Sequence, residues 1–316
     1  MKVKEMKTWE LTYPDNLTKE ALPSTVAAFG FFDGIHLGHQ AVIKRAVDLA
    51  KSENKESAVF TFHPHPSVVL NRSTEDVKYI TTNQEKKTFI ESLGVDRLYI
   101  LTFNEELSQL SPQKFIEHFI VNLHITHVVA GFDFSFGYKG AGNMENINTF
   151  GFDQFTTTIV DKLNLHEEKI SSTKIRTALQ VGNVQMVNEL LGRVYTVSGQ
   201  VVTGDKRGRL LGFPTANVQV SQEKLLPKEG VYAVTLKHEN TIYNGMANLG
   251  VKPTFVQDEY EPTLEIFIFD FDQDIYGDNV TVHFYEYIRK EETFNGVDEL
   301  VAQLKLDERN IRTYFQ

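Results

Sequence analysis

The chain of 316 residues contains no cysteine. That absence excludes disulfides, thiolate nucleophiles and cysteine-ligated zinc or iron–sulfur centres. Basic charge is not in excess either: 32 Lys and Arg against 42 Asp and Glu leave a net charge of −10. Generic nucleic-acid binding favours a basic patch, so no nucleic-acid partner is expected, although a local cluster of donors can still hold an anionic small ligand. No apolar run approaches the ~20 residues of a membrane helix. Met1–Glu10 alternates charge and has no apolar h-region, so no signal peptide is read there. No membrane association and a cytoplasmic location are expected. Pro/Ser-rich linkers, internal repeats and low-complexity tracts are also missing.

What remains is an ordinary globular composition, 41% hydrophobic and 23% charged, with room for two domains of roughly 100–200 residues each. In the first half, strand-like stretches (Val26–Phe29, Ser57–Phe62, Arg97–Thr102, Thr126–Gly131) alternate with amphipathic helical ones (Leu37–Lys51, Gln84–Leu93, Pro112–Asn122). Helices between strands predict crossovers and a mostly parallel sheet, with ligands at the carboxyl ends of the strands. The pattern changes near residue 190. Thr196–Thr203, Val231–Lys237, Thr241–Asn248, Thr263–Phe269 and Asn279–Ile288 read as strands without intervening helices, which predicts an antiparallel barrel. A short helix within Gly182–Arg193 bridges the halves, and a helix over Val297–Tyr314 closes the chain.

The motifs fall in the loops of this plan. Phe29-Gly30-Phe31-Phe32-Asp33-Gly34-Ile35-His36-Leu37-Gly38-His39 runs from a strand through a glycine turn into a helix. Such a turn lets backbone approach a phosphate, and the helix start adds free N–H groups. Two imidazoles three residues apart share a face and can hold a phosphoryl group as its charge grows. Gly131-Phe132-Asp133-Phe134-Ser135-Phe136-Gly137 opens on the same sheet edge; Phe134 and Phe136 fit a core as well as a ligand. In Ser171-Ser172-Thr173-Lys174-Ile175-Arg176 a helix cap precedes an arginine one turn beyond Thr173, suited to gripping phosphate. His63 and His65, with Asp33, allow a metal site, or else a rigid proline-bounded loop. Gly204–Gly212 is glycine-rich and basic without the Gly-Lys-Ser/Thr of a Walker A loop. Thr215 and Asn217, two apart, point the same way if extended, and their oxygens suit Mg²⁺. Glu265 sits among apolar neighbours on either side, so alternation leaves open whether it faces the barrel interior or the outside.

His36-Leu37-Gly38-His39 resembles the HxGH signature of nucleotidylyltransferases, and Ile170–Arg176 resembles the ISSTxIR motif paired with it. Gly212-Phe213-Pro214-Thr215-Ala216-Asn217 resembles the GxPTAN motif of riboflavin kinases. All three in this order resemble the bacterial bifunctional riboflavin kinase/FAD synthetase family over nearly the whole chain. The resemblance implies an α/β plus β architecture. A Rossmann-like FMN adenylyltransferase domain would span 1–187, and a riboflavin-kinase β-barrel with its C-terminal helix would span 188–316. It implies ATP, riboflavin and FMN as ligands, Mg²⁺ as cofactor, and a monomer or weak homo-oligomer. By the same resemblance His36, His39, Arg176 and Glu265 are catalytic, and Thr215 and Asn217 hold the metal. Gly30, Phe31, Asp33, Gly38, Asp133, Ser171, Ser172 and Thr173 would line the first site; Gly204, Lys206, Gly208, Gly212 and Asn248 the second. Phe31 stands where the family often has Asn, which puts one hydrogen bond to nucleotide in doubt. Competing readings are a chain active in one domain only and a flavin-binding module without turnover. A tRNA-linked enzyme is disfavoured by the acidic charge and the lack of a KMSKS-like string.

Overall fold

The computed structural model describes residues 5–14, 22–70, 77–151, 154–204, 208, 211–253 and 260–316. The chain forms two compact units, 1–172 and 173–316.

The first unit is built on β1 (Lys7–Thr12), β2 (Thr25–Phe29), β3 (Glu56–His63), β4 (Arg97–Thr102) and β5 (Ile125–Gly131). A short ribbon of β6 (Ser135–Phe136) and β7 (Gly142–Asn143) precedes β8 (Thr156–Val160). Six of these pair side by side in the order β1-β4-β3-β2-β5-β8, every pair parallel. Helix α1 (Leu37–Ser52) joins β2 to β3; the short α2 (Pro66–Val69) and α3 (Asn83–Ser92) lie between β3 and β4. Both faces of the sheet are covered, which is why its central strands are near-continuous apolar runs. Val26 and Ala28 pack with Val42, Ile43 and Ala46 of α1. Their neighbours Ala27 and Phe29 face the other way, onto Phe115, Phe119 and Ile120.

Strands β1 and β8 are additions to the predicted set. They are the sheet edges, and KTWELT and TTTIV lack the continuous apolar run of the central strands. The helix predicted over Pro112–Asn122 is α-helical only over Pro112–Ile116 and continues as a π-helical turn, Glu117–Val121.

In the second unit the bridging helix is Val184–Leu191, capped by Asn183 and ended by Gly192 in the left-handed conformation. Helix Ser172–Val181 precedes it, only its first residue belonging to the first unit. Beyond lie β11 (Tyr195–Val202), β12 (Thr215–Val220), β13 (Gly230–His238), β14 (Thr241–Pro253), β15 (Tyr260–Ile268) and β16 (Asn279–Arg289). The two-residue β9 (Asn164–Leu165) and β10 (Glu168–Lys169) form a ribbon in the first unit. The six long strands close into an antiparallel barrel, β11-β12-β15-β14-β13-β16. One row of side chains crosses four strands, Tyr232–Ala247–Ile266–Ala216, and the first three are almost wholly buried. The next row is Ala233–Met246–Phe267–Thr215, and its Ala233, Met246 and Phe267 pack with Val301, Leu304 and Ile311 of the C-terminal helix Val297–Tyr314. A helix of that length cannot enter a six-stranded barrel, so the second row is the outer wall and the first the interior.

Candidate active sites

The first candidate site is at the point where strand order reverses. β2 has β3 on one side and β5 on the other, so the loops leaving their carboxyl ends diverge and leave a crevice. The loop after β2 is tightly wound: Phe32, Gly34 and Ile35 have φ of 53°, 84° and 40°, values that a non-glycine residue adopts only when its surroundings hold it there. The holding bonds are visible. The Phe31 carbonyl accepts from the Thr61 hydroxyl at 2.9 Å and from the Lys86 ammonium at 3.0 Å. The buried Asp33 carboxylate accepts from the Thr81 N–H at 3.2 Å. The Asp33 carbonyl accepts from the Ser172 hydroxyl at 2.9 Å, which ties the second motif to the first.

His36 is the N-cap of α1 rather than part of its first turn, and its Nδ1 accepts from the His39 N–H at 3.2 Å. A nitrogen that accepts carries no proton, so the neutral ring is protonated at Nε2. The two imidazoles stack with centroids 3.6 Å apart and planes inclined by 17°. Burial, and then the neighbouring His36, Lys86 and Lys169, push the His39 pKa well down, so that ring is neutral at ordinary pH. Its Nδ1 is buried without a hydrogen-bond partner among the described residues, a rare arrangement that calls for an explanation such as a ligand.

Gly38 is where it is because a Cβ there would lie 3.1 Å from His36 Cε1 and 3.2 Å from its Nδ1. A side chain would push the ring out of its stack. Gly38→Ala is expected to leave the chain folded while displacing the His36 ring by a few tenths of an ångström, which the imidazole NMR signals of His36 and His39 check.

Other predicted residues are distributed as follows. Gly30 and Phe31 form the turn; a Cβ on Gly30 would meet the Phe32 ring. Asp133 is exposed and ion-paired with Lys169 at 2.8 Å, and that ammonium sits 4.5 Å from the Phe132 ring centroid. Phe136 is buried in the core and Phe134 packs against it, so the core reading of these two holds. Among the described residues no three His, Asp or Glu side chains assemble to hold a metal. His65 instead caps α2, its Nδ1 accepting from Ser67 N–H at 3.1 Å, and stands edge-on to Phe31 at 4.6 Å. Ser171 belongs to the first unit with Ser172; Thr173 and Arg176 belong to the second. Lys86 is the residue the sequence reading missed. In Gln84-Glu85-Lys86-Lys87 it looks like one more solvated charge, yet it is buried.

The second candidate site lies on the outer wall of the barrel. Asn217, Glu265 and Asn248 stand in register across β12, β15 and β14, and directly opposed residues share a face. Glu265 therefore points outward, away from the interior that Leu264 and Ile266 occupy. It is not simply exposed: it lines a cavity of about 410 Å³ with Thr215, Asn248, Phe267, Arg289 and Leu304, a volume suited to a small organic ligand. The Thr215 hydroxyl donates to Glu265 Oε2 at 3.5 Å. Asn248 Nδ2 donates to Glu291 Oε1 at 2.8 Å. Gly204 passes so close to the Asn217 amide that any Cβ would overlap it. Gly208 lines the cavity and Gly212 turns with φ 82°; Lys206 lies outside the described residues. The hydroxyl, amide and carboxylate oxygens at this spot are hard donors of the kind Mg²⁺ uses when it arrives on substrate phosphates, so the residues fit that ion.

The C-terminal helix is pinned over the cavity by Arg289. Its guanidinium donates to the buried Asp307 at 2.7, 2.9 and 3.2 Å, and Gln303 adds 2.8 Å. Asp307→Ala leaves Arg289 without its counter-charge, a change that costs about 3–5 kcal/mol when the pair is buried. A lower Tm and a raised KM for the ligand of this cavity are expected in calorimetry and steady-state kinetics.

A family model of FAD synthetases matches residues 18–174, and one of riboflavin kinases matches residues 191–315. The chain is 45% identical over 310 residues to the bifunctional riboflavin kinase/FMN adenylyltransferase of Listeria monocytogenes, covering 98% of each chain. It is 45% identical over 311 residues to that of Bacillus subtilis, again covering 98% of each. A crystal structure from Streptococcus pneumoniae, described as a macrolide-efflux protein, superposes with a TM-score of 0.88 at 34% identity over 97% of this chain and 99% of that one. Among the described residues of this chain no helix is long and apolar enough to cross a membrane.

Proposed function

The chain belongs to the bifunctional riboflavin kinase/FMN adenylyltransferase family, phosphorylating riboflavin to FMN and adenylylating FMN to FAD with ATP, and we propose which residues carry each step. The stacked His36–His39 pair at the strand-order reversal supports adenylyl transfer there. A phosphate oxygen of FMN attacks the α-phosphorus of ATP, the α–β bridging bond breaks, and pyrophosphate leaves. The imidazoles hold the reacting phosphoryl oxygens while Arg176 takes the charge of the departing diphosphate. Gly30, Phe31, Gly38 and the Ser171–Thr173 cap shape the nucleotide cradle, with Asp133 at its rim. Functionally we assign 1–187 to this reaction, since the motif ending at Arg176 goes with it, and 188–316 to the kinase.

For the kinase the carrying observation is the row Asn217–Glu265–Asn248 beside Thr215. Glu265 takes the proton of the ribityl 5′-hydroxyl as that oxygen attacks the γ-phosphorus, and ADP leaves. Thr215 and Asn217 hold Mg²⁺, which neutralises phosphate charge when bound. Gly204, Gly208 and Gly212 cover the phosphates with backbone N–H groups, and Asn248 orients the flavin. We further propose a cytoplasmic enzyme, a monomer or weak homo-oligomer, without nucleic-acid or membrane partners. Flavin chromatography after incubation with riboflavin, ATP and Mg²⁺, and in parallel with FMN, tests this reading. FMN then FAD is expected from the first mixture and FAD from the second; no flavin product in either would overturn it.

A further inference from the structure

Lys86 is 3% exposed. It is placed there by the capping box of α3, in which Thr82 and Glu85 satisfy each other's backbone N–H groups. An ammonium has three N–H donors, and the acceptor for Lys86 among the described residues is the neutral Phe31 carbonyl, with the Phe31 ring centroid 4.8 Å away. The nearby Asp33 favours its charge. Such a buried charge is costly, and an apolar residue of similar volume is often neutral or better for stability. Stability alone does not explain a lysine here.

Geometry supplies a reason. Thr61, on β3, and Lys86 both bond the Phe31 carbonyl, so that oxygen points to the β3 side of β2. In a trans peptide the N–H is anti to the carbonyl. The Phe32 N–H therefore points to the β5 side, into the crevice, and no acceptor among the described residues takes it up. Were the peptide to turn over, a carbonyl dipole would face the crevice and repel phosphate.

We infer that Lys86 is a positioning residue for adenylyl transfer: with Thr61 it holds the 31–32 peptide so that an N–H, not a carbonyl oxygen, faces the phosphates. This rests on reading that crevice as the FMN adenylyltransferase site. Burial lowers the Lys86 pKa to about 8 against the pull of Asp33; of the other titratable groups nearby, His39 is held neutral. The charge that strengthens this bond is thus lost as pH rises through about 8, leaving a weaker neutral amine donor beside Thr61 to hold the peptide.

The test uses the intact protein. Lys86→Met, nearly isosteric, should lower kcat for FMN adenylylation about a hundredfold, the scale of losing an aligned donor. Its Tm should be unchanged or higher and its riboflavin kinase rate unaltered. Wild-type kcat/KM for adenylylation should fall above about pH 8, and Lys86→Arg, which stays charged, should lack that alkaline limb. Unchanged kcat in Lys86→Met, or a loss that follows a lowered Tm, would overturn the inference, as would the same limb in an active Lys86→Arg. If the guanidinium is not accommodated, Lys86→Met alone decides. His36→Asn serves as the reference: full FAD synthesis in that variant removes the site reading itself, whereas an inactive His36→Asn beside a normal Lys86→Met removes only the role of Lys86.

Discussion

His36→Asn is expected to make FMN from riboflavin and stop there. Asparagine is among the best N-cap residues, so it can replace the bond that His36 Nδ1 accepts from the His39 N–H and keep the start of α1. Val42, Ile43, Ala46, Val47 and Ala50 bury the rest of that helix. What the variant lacks is the imidazole stacked on His39 and its Nε2–H. Removing a donor aligned on developing charge costs about 10²–10³ in kcat. His36→Ala should lose the same activity and also part of the cap, about 0.5–2 kcal/mol of stability. The difference in Tm between the two variants thus separates capping from chemistry. The readout is flavin chromatography with riboflavin as substrate: FMN accumulates while FAD stays at background. Undiminished FAD synthesis in either variant would remove the assignment of the crevice.

Glu265→Gln is expected to have the converse effect. The substitution keeps the size of the side chain, its place opposite Asn217 and Asn248, and an oxygen able to accept from Thr215. It removes the carboxylate proposed above as the proton acceptor. Positioned acid–base groups contribute typically 10²–10⁴-fold, and a loss of that size in riboflavin phosphorylation is expected, with FMN-to-FAD conversion at the wild-type rate. Loss of both activities in a folded variant would contradict two separate sites. Because Glu265 and Leu264 point to opposite faces of β15, Leu264→Gln should instead lower Tm. It sets a polar amide in an apolar interior, where an unsatisfied group costs about 1–3 kcal/mol.

Much of this architecture was legible in the chain. The central strands β2 to β5 and the closing helix are within a residue or two of their predicted bounds, since each depends on local period and composition. The convergence of the His36 and Asp133 loops on one sheet edge followed from the alternation of strands and helices alone. The edge strands β1 and β8 were not legible, because they lack the continuous apolar run by which the doubly covered central strands stand out. Nor was β12 predicted outright, since Thr215-Ala216-Asn217 carries polar side chains in place of an apolar pattern.

By itself, then, the sequence determined the class of each half and the chemical groups available: two histidines after a glycine turn, a serine-rich cap, a threonine–asparagine pair and one glutamate among apolar neighbours. These are properties of short segments, and short segments keep them wherever they fold. Only the tertiary structure decided that Glu265 faces outward into a cavity roofed by a helix, that His36 caps rather than continues α1, and that Lys86 is buried against the Phe31 carbonyl. Each depends on what a distant part of the chain places alongside: a closed barrel, a stacked ring, a turn across the neighbouring strand. Burial and opposition belong to pairs of segments, and no window along a single chain contains both.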